Sequence, residues 1–233
     1  TWDYWNDVPQ FLATLEYIDT KTRLANRLDL VRWSLVKTYM SDLQANGIGI
    51  VPTLWADSPG ASSFAGFQDQ LGTDTIVIKP IIGANGDDAY WITPGDTSDR
   101  LEKIAARFPD RKCMIQPFMP NIISEGEFSL FFFNGQYSHA ILKTPAASEF
   151  RSQEEHGGEI RAIQPEELLL ARAQQAIDTL APQPLYARID FVRNELADFV
   201  VMELELIEPS MYLRMDPQAP FRFAAAIDYW AKQ

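Results

Sequence analysis

A single cysteine, Cys113, in 233 residues excludes an intramolecular disulfide and fits a reducing compartment, so the cytoplasm is the expected location. Histidine is nearly as scarce. His139 and His156 have no cysteine or serine setting that would make a nucleophile–base pair, and both read as structural. Basic residues are outnumbered, 20 Lys and Arg against 32 Asp and Glu, for a net charge of -12. A nucleic-acid backbone calls for the opposite balance, so nucleic-acid binding is not expected. No apolar run approaches the ~20 residues that cross a bilayer, and no membrane partner is expected. GxSxG, HExxH, CxxC and Walker-type GxxxxGKS/T patterns are all missing, as are internal repeats and low-complexity tracts.

What is present is a chain that is 46% hydrophobic and 12% aromatic, enough for one large domain or two small ones. Its most informative stretch is Thr75–Tyr90, TIVIKPIIGANGDDAY. Three apolar β-formers lead to Lys79, Pro80 stops the ladder, and a loop with Gly83 and Gly86 follows. A lysine closing an apolar strand before a glycine-bearing loop suits a polyphosphate: the ammonium is a point charge, and amides without Cβ hindrance can approach phosphate oxygens. The same pattern also describes a snorkelling lysine before a hairpin.

Elsewhere the periodicity predicts helices over Pro9–Thr20, Asp29–Asn46 (with Lys37 in its middle and Gly47 as C-cap), Ser62–Leu71, Leu101–Phe108, Pro165–Ala181 (with Pro at its first position) and Pro220–Lys232. Strands are predicted over Ile48–Trp55, Cys113–Met119, Glu159–Ile163, Leu185–Arg193 and Asp198–Ile207. Glu127–Lys143 reads as a hairpin turning at Asn134-Gly135, a type I′ signal. Pro117 is out of place in a central strand, so the backbone is expected to leave the ladder there and offer its polar groups to a flat heterocycle. Trp2, Tyr4 and Trp5 form an aromatic cluster, either a loop packed on the core or the rim of a substrate pocket. Thr144–Gly158 reads as a long mobile loop.

The last two strands carry the chemistry. Alternation puts Arg188 and Asp190 on one face, and Glu203 and Glu205 on one face of the next strand. If the two strands pair, one arginine and three carboxylates converge. Such acids repel unless a cation lies between them, and oxygen-only ligands favour Mg²⁺ or Mn²⁺. The arginine would neutralise charge on a transferred phosphoryl group. A solvent-facing strand pair gives the same alternation.

Taken in order, the lysine–proline strand, the glycine loop, IQPFM, the GEFS hairpin, the RID strand and ELELIEPS resemble the ATP-grasp superfamily, in particular its glutathione-synthetase-like carboxylate–amine ligases. The resemblance runs from about Asp29 to the C-terminus. It implies an α+β fold in which two α+β subdomains clamp a nucleotide between antiparallel sheets: residues 1–28 as the tail of an N-terminal domain mostly lacking here, 29–119 as the small subdomain with Lys37, Lys79 and the glycine loop, and 120–233 as the large subdomain with the metal site. The abrupt opening on Thr1 fits that expectation of a missing upstream portion. It further implies that Lys37 and Lys79 hold the ATP phosphates under the Gly83–Gly86 loop, and that the Pro117 carbonyl and Met119 amide read the adenine edge near Gln116. Glu127 would take the ribose hydroxyls. Lys143 and Arg151 would face the γ-phosphate or a substrate carboxylate, Arg188 would stabilise an acyl-phosphate transition state, and Asp190, Glu203 and Glu205 would hold Mg²⁺. Relatives commonly end the site with Glu-x-Asn and a glycine after the proline; here Glu205 replaces Asn, Ser210 follows Pro209, and Glu208 can stand in for one of the other acids.

The implied function is an ATP- and Mg-dependent ligase that activates a carboxylate as an acyl phosphate for attack by an amine, both small molecules, with a homodimer left open. The alternatives are a catalytically inactive ATP-binding or partner-binding module and a metal-dependent hydrolase; the last leaves Lys37, Lys79 and Lys143 unexplained.

Overall fold

The structure is a computed structural model that describes residues 3–147, 149–152 and 154–233; Trp2 and two positions of the 144–158 loop lie outside the described residues. Helix α1 (Val8–Asp19) starts at Asp7, whose carboxylate accepts from Gln10 N at 3.0 Å, with Pro9 in the first turn. The single helix expected over Asp29–Asn46 is two, α2 (Leu28–Leu35) and α3 (Tyr39–Ala45). Val36 between them is extended, φ -110° and ψ 117°. The break is held by tertiary contacts that outrank helix propensity. Trp33 Nε1 donates across it to Asp42 at 2.8 Å, the Tyr39 hydroxyl accepts from Leu204 N at 2.8 Å, and Lys37, freed from a helical turn, pairs with Glu203.

Six elements follow: β1 (Leu54–Asp57), α4 (Phe64–Leu71), β2 (Ile76–Pro80), β3 (Tyr90–Ile92), α5 (Ser98–Ala105) and β4 (Lys112–Pro117). The strands form an antiparallel sheet in the order β1-β4-β2-β3. Its core gathers Phe64, Ile76, Ile78, Ile92, Ile104, Phe108, Cys113 and Ile115. The strand expected from Ile48 begins only at Leu54, because Pro52 has no N–H to donate to a ladder. Pro80 and Pro117 are the last residues of their strands, where a missing donor is tolerated. Thr97 caps α5, its hydroxyl accepting from Arg100 N at 3.3 Å.

The remainder comprises α6 (Asn121–Ser124), β5 (Glu127–Phe133), β6 (Gln136–Thr144), β7 (Glu159–Ile163), α7 (Glu167–Asp178), β8 (Tyr186–Arg193), β9 (Phe199–Glu205) and α8 (Ala219–Ala231). Its sheet is antiparallel throughout, in the order β7-β6-β5-β8-β9. Asn134 and Gly135, at φ 47° and 73°, make the type I′ turn that the Asn-Gly pair predicts. Pro165 lies one residue before the N-cap Glu166 rather than at the first helical position. In β9 the register slips between Asp190/Phe191 and their partners: Asp190 opposes Glu203 and Phe191 opposes Val201, which leaves Met202 as a bulge. Asn26, 4% exposed, clamps the other ends of β8 and β9: its Nδ2 donates to Tyr186 O at 2.9 Å and Leu206 O at 2.7 Å, and its Oδ1 accepts from Leu185 N at 2.8 Å.

His139 in β6 is buried and stacks on Phe131 with ring centroids 4.3 Å apart. Its protonation follows from its partners. Met211 O can only accept, so Nε2, 2.9 Å away, carries the hydrogen. Nδ1 then accepts the Ser138 hydroxyl at 2.9 Å, and Ser138 Oγ accepts Arg222 Nε at 3.0 Å. Burial lowers the histidine pKa, against the smaller upward pulls of the Met211 carbonyl and Asp216. The stabilisation from holding a neutral ring is therefore full above the ordinary histidine range and declines as pH falls below it. With two histidines in the chain, nitrogen NMR of the rings resolves this directly. One ring is expected as a fixed Nε2–H tautomer that titrates below the ordinary range; a tautomer mixture titrating normally would contradict the assignment.

The chain divides into two compact units, Ile50–Pro120 and Thr1–Gly49 with Asn121–Gln233. This differs from the expected 29–119 and 120–233 division. Residues 29–49, Lys37 among them, belong to the larger unit through the Tyr39 and Lys37 contacts to β9. Among the described residues no helix is long and apolar enough to cross a membrane.

Candidate active site

One face of the larger sheet carries a layer of charge. Pairing sets Glu127 opposite Lys143, Ser129 opposite Asp190, Asp190 opposite Glu203 and Arg188 opposite Glu205. All of these side chains share a face, and the apolar Leu130, Ile189 and Leu204 take the other. Lys143 Nζ donates to Glu127 Oε1 at 2.5 Å and to Asp190 Oδ2 at 3.4 Å. Asp190 also accepts the Ser129 hydroxyl at 2.5 Å and Arg188 Nη2 at 3.0 Å. Arg188 reaches on to Glu205, and Lys37 pairs with Glu203. The convergence of Arg188, Asp190, Glu203 and Glu205 expected from alternation is thus present, with signs alternating along the layer.

The electrostatics follow from this order. Burial opposes ionisation of Asp190, yet Arg188 and then Lys143 hold its carboxyl well below the usual carboxylate range. Lys143 is 2% exposed. Burial and Arg188 work against its charge, but Asp190 and Glu127 keep its pKa raised. Burial pushes Glu205 up to about 8 in spite of Arg188, with Glu203 and Asp190 adding to the rise. Glu208, in the segment after β9, is pushed by burial and by Glu203 up to about 7, while Arg188 and Lys37 pull it down. Burial, then Glu208, Glu203 and Glu205, raise the Tyr4 hydroxyl far above the phenol range, so Tyr4 borders these acids. Tyr4 packs against Trp5 and Phe11, with ring centroids 5.4 and 5.2 Å apart.

Two of the expected site residues have partners within the protein. Glu127 is buried, one carboxylate oxygen accepting from Lys143 and the other from the buried Ser152 hydroxyl. Arg151 is turned to Glu149, its Nη2 2.7 Å from Oε2. Among the described residues no group of three or more His, Cys, Asp or Glu side chains is placed to hold a metal ion. Glu203 and Glu205 lean instead on Lys37 and Arg188. The donor chemistry still fits a hard divalent cation: Asp190, Glu203, Glu205 and Glu208 are all oxygen donors, and burial with neighbouring acids pushes Glu205 and Glu208 toward protonation. Sequence reasoning gave no role to Ser129, which strand alternation with Glu127 could have exposed, or to Ser152, which lies in an irregular loop with no periodic signal.

In the smaller unit, Lys79 opposes Met114 and Pro117 opposes Ile76. Gln116 Nε2 donates to Thr53 Oγ1 at 2.9 Å, and Phe118 N donates to Thr75 O at 2.9 Å. A cavity of about 230 Å³ in the larger unit, lined by Gly47, Ile48, Gly49, Arg172, Phe191 and Asp198, lies on the sheet face opposite the acids, because Phe191 alternates with Asp190.

A two-unit chain with a four-stranded and a five-stranded antiparallel sheet, the second bearing an Arg–acid layer, defines the ATP-grasp class. Residues 56–207 match the family model described as prokaryotic glutathione synthetase, ATP-grasp domain. The cycloserine biosynthesis protein DcsG of Streptomyces lavendulae is 30% identical over 242 residues, which cover 97% of this chain and 79% of that protein. The crystal structure of D-cycloserine synthetase DcsG superposes with a TM-score of 0.85 at 28% identity, over 97% of this chain and 80% of that one. The glutathione synthetase of Thermosynechococcus vestitus is 24% identical over 66% of this chain, which spans 47% of that relative's length. The chain therefore belongs to the prokaryotic glutathione-synthetase ATP-grasp family, among the ATP-dependent carboxylate–amine ligases.

Proposed function

We propose that the chain transfers the γ-phosphoryl group of ATP to a substrate carboxylate and that an amine then displaces phosphate from the acyl phosphate. The observation that carries this reading is the buried, sign-alternating layer in which Arg188 stands between Asp190 and Glu205. A guanidinium fixed on both sides can neutralise charge developing on a phosphoryl group without reorganising, and such chemistry asks little more of a protein than positioning and charge. In the larger unit Lys37 is the second phosphate contact, and Lys143, after Arg188, keeps Asp190 ionised. In the smaller unit Lys79 and the Gly83–Gly86 loop bind phosphate oxygens, and the Pro117 carbonyl and Met119 amide read adenine. Glu203, Glu205 and Glu208, with Asp190 beside them, would hold Mg²⁺, which when bound neutralises phosphate charge. Arg151 is assigned to the substrate carboxylate, which would have to displace Glu149.

Mg-ATP is expected to raise the melting temperature, and Lys79→Ala and Lys37→Ala each to weaken ATP binding by about tenfold. Hydroxylamine, as a general amine, should trap the acyl phosphate as a hydroxamate when candidate carboxylates are supplied with ATP. The similarity to D-cycloserine synthetase makes D-cycloserine the first product to assay. Stabilisation by Mg-ATP with no ADP released by any carboxylate–amine pair would instead identify a nucleotide-binding module.

A further inference from the structure

Asp88 occupies a backbone position that glycine would take by default. The glycine loop closes with two successive turns. Asp87 N donates to Ala84 O at 3.0 Å, with Asn85 and Gly86 at φ 56° and 69°, a type I′ turn. Ala89 N then donates to Gly86 O at 3.2 Å, and Asp88, third residue of this second turn, has φ 54°. A positive φ at that place ordinarily selects glycine or asparagine, since a Cβ crowds the backbone there.

The carboxylate explains the exception. Its Oδ1 accepts Arg107 Nε at 2.9 Å, Arg107 Nη2 at 2.7 Å and the Tyr90 hydroxyl at 3.2 Å, and its Oδ2 accepts Arg111 Nη1 at 2.7 Å. Tyr90 belongs to β3, and both arginines follow α5. Arg111 is itself held, donating to Arg107 O at 3.2 Å with its guanidinium 5.8 Å from the ring centre of the core residue Phe108. Only 14% of the Asp88 side chain is exposed. Strand β2 fixes the entry to the loop; these four bonds fix its exit to the body of the smaller unit.

We propose that Asp88 is a positioning residue for phosphate binding: it fixes the end of the Gly83–Gly86 loop so that the loop amides are ordered before ATP arrives. It touches no substrate itself, and the inference rests on the phosphate-loop reading given above. A loop ordered in advance loses less entropy on binding, which raises affinity without adding a contact.

Two measurements test this on the full chain: calorimetric affinity for ATP with Mg²⁺, and hydrogen exchange of the Gly83–Asp87 amides without nucleotide. Asp88→Gly is the informative variant, because glycine adopts the positive φ at no steric cost and removes only the anchor. It is expected to speed loop exchange and weaken ATP about tenfold. Asp88→Asn, which also tolerates this φ but carries no charge, should move both readouts the same way by less. Asp198→Asn, which breaks the half-exposed Arg172–Asp198 pair of the larger unit, should move neither. Wild-type exchange and ATP affinity in Asp88→Gly would make Asp88 a turn former and overturn the proposal, and if Lys79→Ala still weakens ATP the phosphate-loop reading survives. Faster exchange with unchanged ATP affinity would overturn both, as would failure of the wild-type chain to bind ATP.

Discussion

Replacing Arg188 by alanine is expected to lower turnover by about 10³–10⁵-fold, the range in which an arginine that neutralises phosphoryl-transfer charge contributes. ATP affinity should fall far less, because the phosphate contacts assigned to Lys37 and Lys79 remain. The structure adds a second expectation. Arg188 is buried between Asp190 and Glu205, so the alanine variant leaves two carboxylates without their shared cation and should also lose stability. Arg188→Lys separates the two effects. It keeps the charge in the layer but cannot reach both acids with a planar fork, so it should fold nearly normally and still be slow. Hydroxamate formation, urea unfolding and calorimetry on the same preparations give the three readouts. A lysine variant with wild-type turnover would show that geometry at Arg188 is immaterial.

Lys143→Met should cost about 3–5 kcal/mol of folding stability, the usual penalty for removing one partner of a buried ion pair. The physical case is direct. The Lys143 ammonium is shut away from water and neutralises Glu127 on one side and Asp190 on the other. Without it, Glu127 keeps the Ser152 hydroxyl as its hydrogen-bond donor among the described residues. The double variant Lys143→Met with Glu127→Leu removes both charges of that pair and should recover much of the loss, since Asp190 still has Arg188 and Ser129. A single-variant cost below about 1 kcal/mol would mean that the pair behaves as an exposed one.

The charged layer was legible because strand alternation is a rule with period two. Arg188 and Asp190 in one strand, Glu203 and Glu205 in the next and a short connection between them are enough to bring the four groups together. The Asn134-Gly135 turn was legible for a similar reason, since only a few residue pairs adopt its backbone. Lys37 was harder. Its surroundings read as one continuous helix, and the break depends on contacts to β9 more than 160 residues away. Asp88 was harder still. Nothing local marks it; its unusual φ makes sense only once Arg107 and Arg111 are folded back onto it. The burial of Glu127 against Lys143 and Ser152 was not legible either, because it is a property of the packed sheet.

The surplus residue at Met202 has one more consequence. Phe199, Val201, Glu203 and Glu205 all sit at odd numbers, so an unbroken strand would aim all four the same way. Met202 acts as a change of reading frame: ahead of it the odd positions look toward the greasy side, where Phe199 meets Phe128 edge-on, and beyond it they look toward Arg188 and Lys37. Excising that one methionine would not shorten the strand so much as invert half of it, turning either two acids into the oily interior or an aromatic out among the charges.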